Sequence, residues 1–119
     1  MNKPTLTLLA KTAPYACGRA RATLDIAFAA AVFDYQVRYI FLADGVYQLV
    51  ASKEGEQGLK PHTAALATVD LYGIDKIYVD RNSLVSRGLE TAALIDGVEL
   101  VNEVQLASLL SGPGQILNL

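Results

Sequence analysis

The sequence predicts a three-layer α/β/α domain built on a mainly parallel sheet of about five strands. Three observations lead there. Short β-branched or leucine-rich runs alternate with helical patterns along the whole chain, the order expected of right-handed strand-helix-strand crossovers. The run Val37 to Leu42 is apolar almost throughout, as a central parallel strand covered on both faces requires. The chain has 119 residues, 52% hydrophobic and 18% charged, which suits a single domain over 1–119 and leaves too little for a second core. Folding at this size buries roughly two-thirds of the surface of the unfolded chain, enough for a core without metal or disulfide.

The elements follow in order. Thr5 to Ala10 is the first strand, bounded by Pro4 and by the Pro14 to Gly18 loop. Gly18 opens a helix to about Phe33, in which Ala20, Leu24, Ala27, Phe28, Ala31 and Val32 recur at the spacing of one helical face. Val37 to Leu42 is the second strand, ended by Ala43-Asp44-Gly45. Val46 to Ala51 reads as a helical turn, and the polar Ser52 to Lys60 segment as an exposed loop. Pro61 suits a first helical position and Gly73 a helix end with positive φ, so one continuous helix is predicted over Pro61 to Tyr72, burying Ala65, Leu66, Val69 and Tyr72. Lys76 to Val79 is the third strand, Asn82 to Arg87 a short helix ended by Gly88, and Val98 to Val101 the fourth strand. Asn102 and Gln105 form a capping arrangement for a helix carrying Leu106, Leu109 and Leu110, which Gly112-Pro113-Gly114 stops. Ile116 to Leu119 is a terminal strand, with Ile116, Leu117 and Leu119 expected to be buried.

Composition excludes several function classes. The net charge of −2 supplies no basic stripe, which argues against direct nucleic-acid binding. Cys17 is the single cysteine, so neither an internal disulfide nor a Cys-only metal site is available, and a reducing compartment is favoured. The first ten residues lack a signal-peptide pattern, and the apolar stretch Ala27 to Val32 is far short of the roughly 20 residues a membrane span needs. A soluble, cytoplasmic protein without membrane, metal or cofactor partners is expected. High apolar content with few charges also points to apolar surface in a subunit interface.

In a parallel sheet the functional crevice lies beyond the carboxyl ends of the strands, which directs attention to Lys11 to Gly18, Ala43 to Val46, Asp80 to Asn82 and the Gly112 turn. No phosphate loop is present, and Gly112-Pro113-Gly114 follows a helix rather than a strand. Asp44 and Asp80 end successive strands, as in phospho-acceptor receiver domains, but the first strand ends in Lys11 and Thr12 instead of acidic residues. Capping or solvating the strand-end turns accounts for both aspartates. His62 is the only histidine and falls in the first turn of its helix, where a surface role is expected. Cys17 lies just before the first helix, near Arg19 and Arg21, a setting that lowers a thiol pKa, yet a lone loop cysteine is more often incidental; both readings stand.

The runs Ala13-Pro14 through Gly18-Arg19, Leu24-Asp25, Phe41-Leu42-Ala43-Asp44-Gly45-Val46-Tyr47-Gln48-Leu49, Leu71-Tyr72-Gly73-Ile74, Tyr78-Val79 and Ser83-Leu84-Val85-Ser86-Arg87-Gly88-Leu89 resemble the DsrE/DsrF/DsrH-like family. The resemblance covers essentially the whole chain and is nearest to the DsrF-like, TusC-type subunit. It implies a DsrEFH-like fold and a noncatalytic structural subunit of a relay that passes persulfide sulfur between proteins. It also implies a hetero-hexamer with TusB/DsrH-like and TusD/DsrE-like subunits, through which sulfur donor and acceptor proteins are reached. The client so implied is 2-thiolation of the tRNA wobble uridine, or dissimilatory sulfur oxidation in the DsrEFH branch. In the sulfur-carrying subunit the acceptor cysteine follows the third strand, eight positions before the glycine that ends the next helix. Counting back from Gly88 gives Asp80, and a carboxylate cannot form a persulfide. Two other readings are a sulfur carrier acting through Cys17 and a homo-oligomeric ligand-binding protein that shares only the fold.

Overall fold

The computed structural model describes residues 4–14, 18–51, 61–74, 76–112 and 114–118. The expected loop over 52–60 and Cys17 lie outside them. Five strands, β1 (Thr5–Ala10), β2 (Gln36–Phe41), β3 (Lys76–Asp80), β4 (Val98–Val101) and β5 (Gln115–Asn118), form one sheet in the order β4-β3-β2-β1-β5. Every strand pair is parallel. The helices are α1 (Arg19–Val32), α2 (Pro61–Leu66), α3 (Arg81–Ser86) and α4 (Glu103–Leu110), with 3-10 segments at Ala43–Leu49 and Val69–Tyr72. This is the α/β architecture that the alternation of patterns predicts, with strand ends shifted by one residue.

The core occupies one face of the sheet. Leu6, Leu8 and Ala10 of β1, Val37, Tyr39 and Phe41 of β2, and Ile77 and Val79 of β3 pack against Leu24 and Ala27 of α1, Val46 and Leu49 of the first 3-10 segment, Leu66 and Leu84. Tyr39 and Phe41 stack with ring centroids 4.4 Å apart. The opposite face buries Thr7, Leu9, Ile40 and Val101 but carries only α4, none of whose residues is fully buried. The capping box expected at the start of α4 is present: Gln105 N–H donates to Asn102 Oδ1 at 2.8 Å and Asn102 N–H to Gln105 Oε1 at 2.9 Å.

Five expectations need correction. The helix predicted over 61–72 breaks after Leu66, because the Thr68 hydroxyl donates to the Ala65 carbonyl at 2.7 Å and its own N–H takes the same carbonyl, tightening the chain into a 3-10 turn. Gly73 then ends the segment at φ +84°, as anticipated. Tyr72 and Val32, assigned to buried faces, are exposed. So are Ile116 and Leu117, because β5 is an edge strand paired only with β1; Leu119 lies outside the described residues.

Two substitutions test the packing. At Gly45 a Cβ would overlap the Ala10 carbonyl, whereas at Gly18 the space is open. Gly45→Ala should therefore cost about 3 kcal/mol in urea unfolding and Gly18→Ala less than about 1 kcal/mol. Tyr39 is fully buried with no partner for its hydroxyl among the described residues. Burial, with the Asp25 charge, drives that phenol far above its ordinary pKa, so it stays neutral. Tyr39→Phe should leave stability unchanged or raise it by up to about 1 kcal/mol.

Candidate functional site

Beyond the carboxyl ends of β1, β2 and β3, where a parallel sheet opens its crevice, the arrangement of the loops starts at residue 45. The 3-10 segment Ala43–Leu49 crosses the end of β1, with Leu42 N–H donating to the Ala10 carbonyl at 3.1 Å and Gly45 N–H to the Leu42 carbonyl at 3.0 Å. Ala43 takes φ +50° to start the turn. The segment's far end is tied down by Ala51 N–H to the Ala93 carbonyl at 2.8 Å and Ile95 N–H to the Leu49 carbonyl at 3.0 Å.

Gln48, fully buried, is the centre of one polar cluster. Its Nε2 donates to the Thr12 carbonyl at 2.8 Å in the loop after β1. Its Oε1 can only accept, so the His62 ring contact at 2.7 Å assigns the proton to His62 Nε2. The Thr63 hydroxyl donates to the Gln48 carbonyl at 3.1 Å. One glutamine thus joins the β1 loop, the 3-10 segment and α2. His62 is buried, not on the surface as its place in the first turn suggested, because α2 lies on the 3-10 segment with His62 and Thr63 turned inward. Burial, and secondarily the Arg21 charge, lowers its pKa.

A second cluster joins β2 to β3. Asp80 ends β3 and is the N-cap residue of α3, and its Oδ2 accepts the Ser83 hydroxyl at 2.7 Å. The same hydroxyl oxygen accepts Ala43 N–H at 2.9 Å. Arg87 Nε donates to Asp44 Oδ1 at 3.0 Å, and its Nη1 reaches the Ser83 carbonyl at 3.2 Å and Ser86 Oγ at 3.1 Å. The structure therefore brings Asp44 and Asp80 to one crevice and gives each a local hydrogen-bonding duty. It does not bring the Gly112 turn there: α4 runs back along the sheet, and Gly114 lies against the Thr5 carbonyl at the opposite end. Gln48, Ser83 and Arg87 were not singled out from sequence. Their signals were a glutamine in an otherwise apolar turn, and a serine three residues after a strand-end aspartate.

Chemically the crevice is a set of fastenings. Gln48 uses both ends of its amide, and the Ser83 hydroxyl is both donor and acceptor within the fold, so neither is presented as a nucleophile. Among the described residues no group of three or more His, Cys, Asp or Glu is placed to hold a metal, and no helix is long and apolar enough to cross a membrane.

Residues 5–119 match the model of the DsrE/DsrF-like family. The chain is 35% identical over 114 residues to a TusC homolog of Vibrio vulnificus, covering 95% of this chain and 97% of the relative. A TusC homolog of Pseudomonas aeruginosa is 33% identical over 116 residues, covering 97% and 98%. The intracellular sulfur oxidation protein DsrF of Allochromatium vinosum is 37% identical over 89 residues, covering 74% of this chain and 65% of that protein. The crystal structure of the ychN protein of E. coli superimposes with a TM-score of 0.81 over the full length of both chains at 22% identity, which supports the fold.

The low His62 pKa has a defined sign. Below its ordinary value of 6.5 the unfolded chain takes up a proton that the native site resists, so stability falls as the pH drops below 6.5 and continues to fall until the native pKa is passed. Urea midpoints measured between pH 7.5 and 5.5 should decrease accordingly. His62→Gln, which keeps a donor toward Gln48, should flatten that part of the profile.

Proposed function

The chain belongs to the DsrE/DsrF-like family, and from that premise we propose that it is a noncatalytic, structural subunit of a sulfur relay complex. It stands beside TusB/DsrH-like and TusD/DsrE-like subunits in a cytoplasmic hetero-hexamer. The complex passes persulfide sulfur toward 2-thiolation of the tRNA wobble uridine, and this chain contacts no nucleic acid itself. The observation that carries the reading is Asp80. A relay station needs a thiolate that accepts a terminal sulfur, and a helix amino terminus with nearby donors favours such an anion. At the head of α3 this chain has instead a carboxylate already engaged by Ser83. Asp80 supports the loops and cannot receive sulfur.

The match in length favours the TusC branch. The TusC homologs align over 95% or more of both chains, whereas the alignment with DsrF takes in 65% of that protein. Sulfur transfer for tRNA is thus the preferred client over sulfur oxidation.

Cys17 separates scaffold from carrier. In the assembled complex Cys17→Ser should leave sulfur transfer within about twofold of the wild type, because a scaffold uses no thiol chemistry of its own. Mutating the acceptor cysteine of the TusD-like partner should abolish transfer. Intact mass spectrometry under turnover should find the added sulfur on the partner chain. Stoichiometric persulfide on Cys17, lost together with transfer in Cys17→Ser, would make this chain a carrier. Deleting the gene in its host should remove 2-thiolated wobble uridine from tRNA digests; an unchanged level would move the client to sulfur oxidation.

A further inference from the structure

One tripeptide occurs twice in the chain, as Asp44-Gly45-Val46 and as Asp96-Gly97-Val98. An aspartate followed by glycine can close on its own backbone, because no Cβ on the glycine obstructs the approach. The glycine amide nitrogen attacks the aspartate Cγ, a C–N bond forms, and a carboxyl oxygen leaves as water. The product is a five-membered succinimide. Water then opens the ring at either carbonyl, giving back aspartate or leaving isoaspartate, in which the main chain runs through the side-chain carbon. One water leaves and one is added, so no oxidant or reductant takes part.

The fold treats the two copies differently. At the first, Gly45 is buried against the Ala10 carbonyl and its N–H donates to the Leu42 carbonyl at 3.0 Å. Asp44 Oδ1 accepts Arg87 Nε at 3.0 Å, so nucleophile and electrophile are both engaged. Exposure does not make the difference, since the Asp44 side chain is itself 61% exposed. At the second copy both residues are exposed, and Gly97 takes φ +84° in the turn that leads into β4. Among the described residues the Asp96 carboxylate has no hydrogen bond or ion pair and the Gly97 N–H has no backbone acceptor. Asp96 also lines two hollows, one with Asp70 and Ile74 and one with Ala51 and Leu94, where its carboxyl has room to turn and water can enter.

We propose that Asp96 and Gly97 form a modification site at which the folded chain converts aspartate to isoaspartate, while the fold holds Asp44 and Gly45 against the same reaction. The inference does not depend on the relay-subunit reading. The α-carboxyl freed in isoaspartate is the acceptor for carboxyl methylation by S-adenosylmethionine, which is the class of reaction that consumes this product. The extra main-chain carbon enters between two fixed points. Ile95 N–H is held by the Leu49 carbonyl at 3.0 Å, and Val98 pairs with Ile77 at the start of β4. A lengthened chain must loosen one of them, and β4 is an edge strand with a single neighbour.

The test ages the full chain at neutral pH, once folded and once in guanidinium chloride. Peptide mapping locates the isoaspartate, and methyl transfer from radiolabelled S-adenosylmethionine by an isoaspartyl O-methyltransferase counts it. In the folded chain isoaspartate should build up at residue 96 at least about tenfold faster than at residue 44, because reaction at the held copy must wait for local opening. In guanidinium chloride the two rates should converge, since the local sequence is the same. Asp96→Glu, whose ring would need six members, should remove the methyl-acceptor signal from the folded chain. Asp96→Asn should form the ring faster and show the mass change of an amide becoming a carboxyl. Aged wild type should have a lower urea midpoint than fresh protein, and aged Asp96→Glu should not. The wild-type comparison stands alone should either variant fold poorly. A folded chain that stays unmodified at 96 while the denatured chain isomerises there would overturn the proposal, as would equal rates at 44 and 96 in the folded chain.

Discussion

At residue 45 the chain after β2 lies so close to the last carbonyl of β1 that only a hydrogen fits on the inner side of the α-carbon. The crevice depends on that approach. It lets the 3-10 segment cross the end of β1 while Leu42 N–H takes the Ala10 carbonyl, which closes β1 and β2 at their carboxyl ends. From there the turn aims two groups in opposite directions: Ala43 N–H toward Ser83 on the β3 side and the Gln48 side chain toward Thr12 on the β1 side. A larger residue at 45 would lift the segment and lengthen both bonds together. The positive φ of Ala43 belongs to the same constraint, because an L-residue takes that conformation when surrounding contacts over-determine it.

What the sequence made legible follows from how local each signal is. The central strands carry their burial in composition, and the capping box of α4 is complete within four residues, so both were readable without tertiary context. The break in helix 61–72 was local too, but it hangs on the Thr68 hydroxyl choosing the Ala65 carbonyl over solvent, a choice periodicity does not report. His62 and Gln48 were illegible for a different reason. A polar residue in a short turn is normally solvated, and only the packing of α2 on the 3-10 segment, fourteen residues away in sequence, gives each its partner. The edge position of β5 could not be read from Ile116 and Leu117, since a strand buried on one face and a strand exposed at a sheet edge use the same residues. Asp80 was located correctly at the strand end, while its partner Ser83 required the geometry of α3.

The two ends of the molecule divide the physical work. At the crevice, polar side chains satisfy one another across elements and so fix the relative positions of three loops. At the far end, on α4 and on the edge strand β4, apolar groups remain in water: Val104 is 78% exposed and Leu100 47%. A domain with one sheet face packed by several elements and the other by a single helix leaves apolar groups in contact with water. Such a chain gains stability by association, because an interface that covers apolar groups acts as an extension of the core.

The Asp80 cluster ties this division to the proposed role. A persulfide is an anion that comes and goes, and a station built for it must tolerate both states at the head of the helix. In this chain the Ser83 hydroxyl needs an acceptor continuously, because the same oxygen must also receive Ala43 N–H and hold the start of the 3-10 segment. A carboxylate side chain supplies that acceptor at all times. On the proposed reading, the residue that stands where a carrier would have its cysteine is therefore the residue that keeps the crevice loops fixed. Within a relay, a subunit with a constant surface serves its partners by not changing while the sulfur moves through a neighbour.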